Sequence, residues 1–147
     1  MSSSRESISK PALVVLVGIR RSGKTEVANY LRKTHGYKFI RYSTYLFTKA
    51  EPIASMLKEG TKVVVEFHVT LDRPLSEDVR NFIISKNGVI WQIKSSTRDI
   101  KIFNCNNVIL NDVRHNKSDP EELGSFQKLY QEVEDVLAMK TTSMWDF

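Results

Sequence analysis

The segment Gly18-Ile19-Arg20-Arg21-Ser22-Gly23-Lys24-Thr25 sets two glycines five residues apart and follows the second with a lysine and a hydroxyl residue. This is the pattern G-x-x-x-x-G-K-[ST], and the chemistry it suits is the holding of a nucleotide's phosphates. The glycines let the backbone curl so that its N–H groups converge on an anion. A helix that begins directly afterwards turns its positive end to the same anion. Lys24 has the reach for the β- and γ-phosphates, and the Thr25 hydroxyl can ligate Mg2+. At average residue usage the pattern arises by chance in on the order of one chain in a few hundred. It implies ATP and Mg2+ as cofactors, cradled by the stretch from Gly18 to Thr25. Two plainer readings stand beside it: a loop that binds nucleotide without turning it over, and an ordinary glycine turn between strand and helix.

Such a loop calls for an acidic partner for the metal at the end of a neighbouring strand. Glu66, directly after Val63-Val64-Val65, fits that place. Aspartate is the commoner choice there, and Asp72 is the substitute if the strand runs on. A solvent-facing glutamate is the alternative. Arg41, near the end of another apolar stretch, suits an acceptor's phosphate or simply an outward strand position. Arg20 and Arg21 add positive charge within the loop. His35, His68 and His115 lack metal-ligand spacing, and only His68, just after Glu66, is placed to face the site. Cys105 lies in a polar stretch with no adjacent base, which argues against a nucleophile.

The elements that must position these residues are legible in the apolar pattern. Ala12 to Val17 is a continuous apolar run, as expected of a parallel strand covered on both faces. A helix follows from about Lys24 to His35, with Val27, Tyr30 and Leu31 on one face and Gly36 as its stop. Tyr37 to Tyr42 alternates as a second strand, and Ser43 to Lys49 is ambiguous. Pro52 opens a helix through Lys58, stopped by Gly60. Lys62 to Phe67 reads as a third strand. Ser76 caps a helix with Glu77 and Asp78 in its first turn, which ends at Asn87-Gly88. Val89 to Ile93 and Asn107 to Leu110 are strands four and five, with Trp91 in the core. Pro120 starts the last helix, whose stripe of Leu123, Phe126, Tyr130, Val133 and Leu137 faces the core. Strands alternating with helices predict a parallel sheet with helices on both faces. One nucleotide-binding domain is expected over residues 11–140, with a polar lead at 1–10 and a tail at 141–147.

Composition narrows the class. The chain has 147 residues, 41% hydrophobic and 27% charged, enough for a packed core and too apolar for a disordered chain. A single cysteine excludes an internal disulfide and any cysteine-based zinc cluster. No apolar run approaches the ~20 residues of a membrane span, and the polar Met-Ser-Ser-Ser-Arg-Glu start lacks a signal core. A cytoplasmic protein with no membrane partner is the expectation. The net charge of +5 suits an anionic ligand, although no run of five basic residues occurs.

With these elements in place, the chain resembles the nucleotide-kinase branch of phosphate-loop proteins. It is most similar to the phage- and virus-type deoxynucleoside monophosphate kinases, with dephospho-coenzyme A kinase as a cousin. Tyr42-Ser43-Thr44-Tyr45-Leu46 looks like the family's serine-bearing turn beside the acceptor nucleotide. Arg73 and Glu77 keep the family's spacing of arginine to helix-opening glutamate. Val108-Ile109-Leu110-Asn111 resembles its apolar stretch ending in asparagine. The resemblance implies a P-loop NTPase fold: a three-layer α/β/α sandwich whose five parallel strands lie in the order 2-3-1-4-5. It implies transfer of the ATP γ-phosphoryl group to a small phosphorylated acceptor, best a nucleoside monophosphate. Lys24 and Arg73 would be catalytic, Arg41, Ser43 and Arg73 would bind the acceptor, and Thr25 and Glu66 would hold the metal. One departure is plain. About ten residues, Lys94 to Phe103, join strands four and five, and Arg98 is their sole arginine where the family carries an arginine-bearing lid.

Two rival classes use other residues. Asn116-Lys117-Ser118-Asp119 matches the N-K-x-D guanine-reading pattern of GTPases, but no D-x-x-G follows the third strand. Ser118 and Glu121 also fit a capping box at the last helix. Nucleic-acid binding would draw on the basic charge and on Trp91 and Trp145, and is disfavoured because Trp91 sits in an apolar strand. The short lid also leaves room for a protein partner, a second copy of the chain, or a nucleotide-binding module that is not itself catalytic.

Overall fold

The computed structural model describes residues 10–18, 23–42, 50–68, 76–94, 105–111 and 120–138. The elements run β1 (Leu13–Gly18), α1 (Lys24–His35), β2 (Lys38–Tyr42), α2 (Ala50–Lys58), β3 (Val63–His68), α3 (Glu77–Ser85), β4 (Val89–Lys94), β5 (Asn107–Leu110) and α4 (Pro120–Ala138). The strands form one sheet in the order β2-β3-β1-β4-β5. Every pairing is parallel, with Leu13 opposite Val63 and Val14 opposite Val89 on the two sides of β1. The order expected from the family resemblance therefore holds.

All six residues of β1 are buried, as the unbroken apolar run requires of the central strand of a covered parallel sheet. Leu13, Val15 and Val17 face one way and join Ile53 of α2 with Val79 and Ile83 of α3. Val14 and Leu16 face the other way and join Val27, Ala28 and Leu31 of α1 with Leu129, Val133 and Leu137 of α4. Two helices thus lie on each face. The chain winds from β1 outward to β2 and then back past β3 to β4. Parallel crossovers are right-handed, so this reversal sends α1 to one face and α2 and α3 to the other.

Local chemistry sets the element ends. The Ser76 hydroxyl accepts from the Val79 amide at 3.3 Å and caps α3. Gly36, at φ +74°, ends α1 and its N–H returns to the Leu31 carbonyl. Pro120 is the first residue of α4. Pro52 lies in the third position of α2 rather than at its start, which is tolerated because first-turn amides have no partner within the helix. Trp91 is 1% exposed and packs on the α1–α4 side. Cys105 differs from its polar sequence setting: it is buried against the α2–α3 side. Among the described residues no helix is long and apolar enough to cross a membrane.

Candidate functional site

All five strands end at the same edge of the sheet because all are parallel. Open α/β sheets bind ligands outside this edge, where the winding reverses. The segment leaving β1 returns at Gly23, whose backbone lies at φ +93° and ψ 20°, directly before α1. Only glycine takes this left-handed conformation without cost. The space around it is equally restrictive: a Cβ at Gly23 would stand 1.9 Å from Nδ2 of Asn111. That amide, 7% exposed and just past β5, donates to the Gly23 carbonyl at 3.3 Å. Gly23 also provides no side-chain cap, so the first-turn amides of α1 remain suited to an anion.

Lys24 is 5% exposed, and its Nζ donates to the Gly18 carbonyl at 3.0 Å. An ammonium removed from water in this way needs oxygen partners. Here it bridges the two ends of the segment that joins β1 to α1.

One residue further on, the Thr25 hydroxyl donates to Oε1 of Glu66 at 2.8 Å. Glu66 lies opposite Leu16 in the β1–β3 pairing and opposite Arg41 in the β2–β3 pairing. Alternation along β3 turns Glu66 to the α1 side, away from Val65 and Phe67. Arg41 meets both partners: its Nη2 donates to the Thr25 hydroxyl at 3.1 Å, and its Nε lies 3.5 Å from Oε2 of Glu66. Its guanidinium stands 5.7 Å from the centre of the Phe39 ring. The Arg41 side chain is 58% exposed and that of Glu66 is 13% exposed, so the cluster opens to solvent through the arginine.

The fold thus brings together Gly18, Gly23, Lys24, Thr25, Glu66 and Arg41 from the sequence-derived set. Ile19, Arg20, Arg21, Ser22, Ser43 and Arg73 lie outside the described residues, as do Asp72, Arg98, His115, Trp145 and the stretch from Asn116 to Asp119. His68 pairs in register with Gly18. His35 is elsewhere, at the far end of α1 beside Glu134.

Sequence reasoning names Asn111 only as the end of an apolar stretch and does not reach its contact with Gly23. Gln92, 1% exposed, is a buried amide of the sheet opposite Val17 in the β1–β4 pairing. A lone amide within Val89-Ile90-Trp91-Gln92-Ile93 marked that position.

Neither a scan against models of known families nor a search of curated proteins returns a match. Among solved structures, the chain is similar to an unliganded sugar kinase from Janibacter sp. HTCC2649, with a TM-score of 0.52 and 11% identity. The match covers 89% of this chain and 99% of the kinase chain. The likeness and the parallel 2-3-1-4-5 sheet fit a P-loop NTPase-like fold. A second match is the YorR protein from Bacillus subtilis in complex with phosphorylated GDP, at 18% identity, covering 86% of this chain and 81% of that one. Its TM-score of 0.39 carries no structural argument.

Proposed function

We propose that the chain binds ATP with Mg2+ and transfers the γ-phosphoryl group to a small phosphorylated acceptor, best a nucleoside monophosphate. The observation that carries the reading is the bond from Thr25, at the start of α1, to Glu66 near the end of β3, directly beside the buried Lys24. The motif G-x-x-x-x-G-K-[ST] and the kinase-like fold support it.

The donor set fits a hard cation. Adjacent corners of an octahedron with Mg–O bonds of ~2.1 Å lie about 3 Å apart, and the Thr25 and Glu66 oxygens are 2.8 Å apart. Among the described residues no cluster of three or more His, Cys, Asp or Glu could hold a metal. Mg2+ usually completes its coordination with nucleotide phosphates and water rather than with an all-protein cage. When bound, the ion neutralises charge on the phosphate oxygens.

The residues then divide the work. Backbone amides from Gly18 to Thr25 cradle the β-phosphate, and Asn111 holds the Gly23 peptide in place for them. Lys24 exchanges the Gly18 carbonyl for phosphate oxygens and stabilises the migrating group. Arg73, with Arg41 and Ser43, grips the acceptor. An acceptor phosphate oxygen forms the new P–O bond as the bond to the ADP oxygen breaks. Catalysis is positioning and charge neutralisation, with no covalent bond to the protein. We read residues 11–140 as one nucleotide-binding domain that does this work.

The test is calorimetric titration with Mg·ATP, followed by a product assay with a panel of nucleoside monophosphates. One monophosphate becoming a diphosphate is the expected result. Lys24→Ala should lower turnover by about 100-fold or more, since preorganised cations of this kind contribute on that scale, with an unchanged circular dichroism spectrum. Unchanged turnover in Lys24→Ala overturns the reading. Nucleotide binding without any product favours a partner-dependent or non-catalytic module instead.

A further inference from the structure

The cluster at the end of β3 already contains a cation. Arg41 touches both oxygen-bearing side chains of the proposed metal site, Thr25 through Nη2 and Glu66 through Nε. Its planar fork thereby spans a hydroxyl and a carboxylate that are themselves hydrogen-bonded to one another. The Phe39 ring lies beside the guanidinium, its centre 5.7 Å away.

We infer that Arg41 is a displaceable latch: its guanidinium occupies the Thr25–Glu66 oxygens until a divalent metal, arriving with nucleotide, drives it out. The inference rests on the nucleotide-binding reading above. Arg41 Nη2 sits on the Thr25 hydroxyl oxygen that a metal would need, and a guanidinium and a divalent cation against the same hydroxyl and carboxylate repel one another, so one cation must leave. The geometry decides which can. The arginine side chain is more than half exposed, and ion pairs open to solvent are weakly held. Its residue lies on the edge strand β2, so the head can swing outward without disturbing a neighbouring strand. Glu66, on the interior strand β3 and 13% exposed, stays.

The exchange has a consequence for the second substrate. Once released, Arg41 is a free fork at the strand-end edge, suited to a phosphate. An acceptor phosphate that holds it there favours the metal, and the metal in turn favours the acceptor, since coupling between sites is reciprocal. The metal would then be held most tightly when both substrates are present.

The direct test is Mn2+ binding, followed by electron paramagnetic resonance, to full-length protein saturated with a nonhydrolysable ATP analogue. Arg41→Gln should bind Mn2+ more tightly than the wild type, within the roughly 5- to 150-fold range of such couplings. Arg41→Lys keeps the charge but loses the fork, and it should also gain affinity. In a Glu66→Gln background the Arg41→Gln change should have no further effect. Equal or weaker Mn2+ binding by Arg41→Gln overturns the latch while leaving nucleotide binding intact. A gain in Arg41→Gln with none in Arg41→Lys also overturns it, because the effect is then long-range charge. Failure of the analogue to bind the wild type overturns the latch together with the nucleotide-binding reading.

Discussion

The two ends of α1 carry polar clusters of opposite character. At its start, Gly23 lends no side-chain cap, Lys24 is held by one carbonyl of the preceding strand, and Thr25 joins a solvent-open contact with Glu66 and Arg41. At its end, Gly36 closes the helix on the Leu31 carbonyl, and Arg32, Lys33 and His35 lie in the last turn, where positive charge suits the helix dipole. Glu134 of α4 accepts from the Tyr30 hydroxyl and lies 2.7 Å from His35 Nε2. The Tyr30 and Tyr130 rings stack at 4.4 Å. The far end is therefore closed on itself, whereas the near end sets helix amides without a side-chain cap beside a buried lysine and a hydroxyl whose contacts open to solvent through Arg41. One helix is a packing element at its C-terminus and, on the proposed reading, the frame for a ligand at its N-terminus.

The two flanking glycines give the largest contrast. Both have positive φ, but a Cβ at Gly36 meets nothing within 4 Å, whereas one at Gly23 collides with Asn111. Gly36→Ala should cost only about 1 kcal/mol of backbone strain, visible in thermal denaturation, with nucleotide affinity unchanged. Gly23→Ala adds the collision to about 1–3 kcal/mol of strain. Calorimetry should show nucleotide binding weakened by about 10- to 100-fold or more. Equal effects at the two glycines would erase the distinction between the ends.

The two glutamates give the next contrast. Glu66→Gln should weaken metal-dependent nucleotide binding by about 10- to 100-fold, the scale seen when groups supporting a metal are removed, with little change in melting temperature. Glu134→Ala should do the reverse. It strips the partner from Tyr30 and His35 and costs about 1–2 kcal/mol, a value reduced by its partial exposure. Binding isotherms and melting curves on the same two variants separate these outcomes.

The smallest effect is in pH. Burial alone would raise the Glu134 carboxyl, but the Tyr30 hydroxyl and the His35 ring outweigh it and hold the group below its ordinary 4.5. A carboxylate favoured by the fold gives stability that is present above that value and lost as pH falls below it. Glu134→Gln should flatten the acid limb of a denaturation profile. At the other extreme, burial first and then the Glu134 carboxylate push the Tyr30 hydroxyl up to about 12. The fold favours the neutral phenol, so this contribution is intact below pH 10 and lost as pH rises through about 12. Tyr30→Phe should remove that alkaline loss.

Much of the fold was legible because its signals are local. The unbroken apolar run of β1, the Val63-Val64-Val65 run of β3, the Ser76 cap and the Phe126, Val133 and Leu137 spacing each report on a few neighbouring residues. Gly18, Lys24 and Thr25 were legible for the same reason: their chemistry is written in one octapeptide. The Arg41 contact left two readings open in the sequence. A strand-end arginine looks the same whether it faces solvent, an acceptor or a hydroxyl on the next helix. Cys105 misled because its polar neighbours in the chain are not its neighbours in space.

By itself, then, the sequence determined the kinds and order of elements, the glycine-bounded segment and the residues capable of meeting phosphate. Periodicity and turn chemistry act over a handful of residues, so they survive without knowledge of the whole. The tertiary structure decided which distant groups meet. Thr25 reaches Glu66 across 41 positions, Asn111 reaches Gly23 across 88, and His35 reaches Glu134 across 99. Those meetings depend on strand order, on register and on the face to which each crossover sends its helix, and no local preference encodes any of the three.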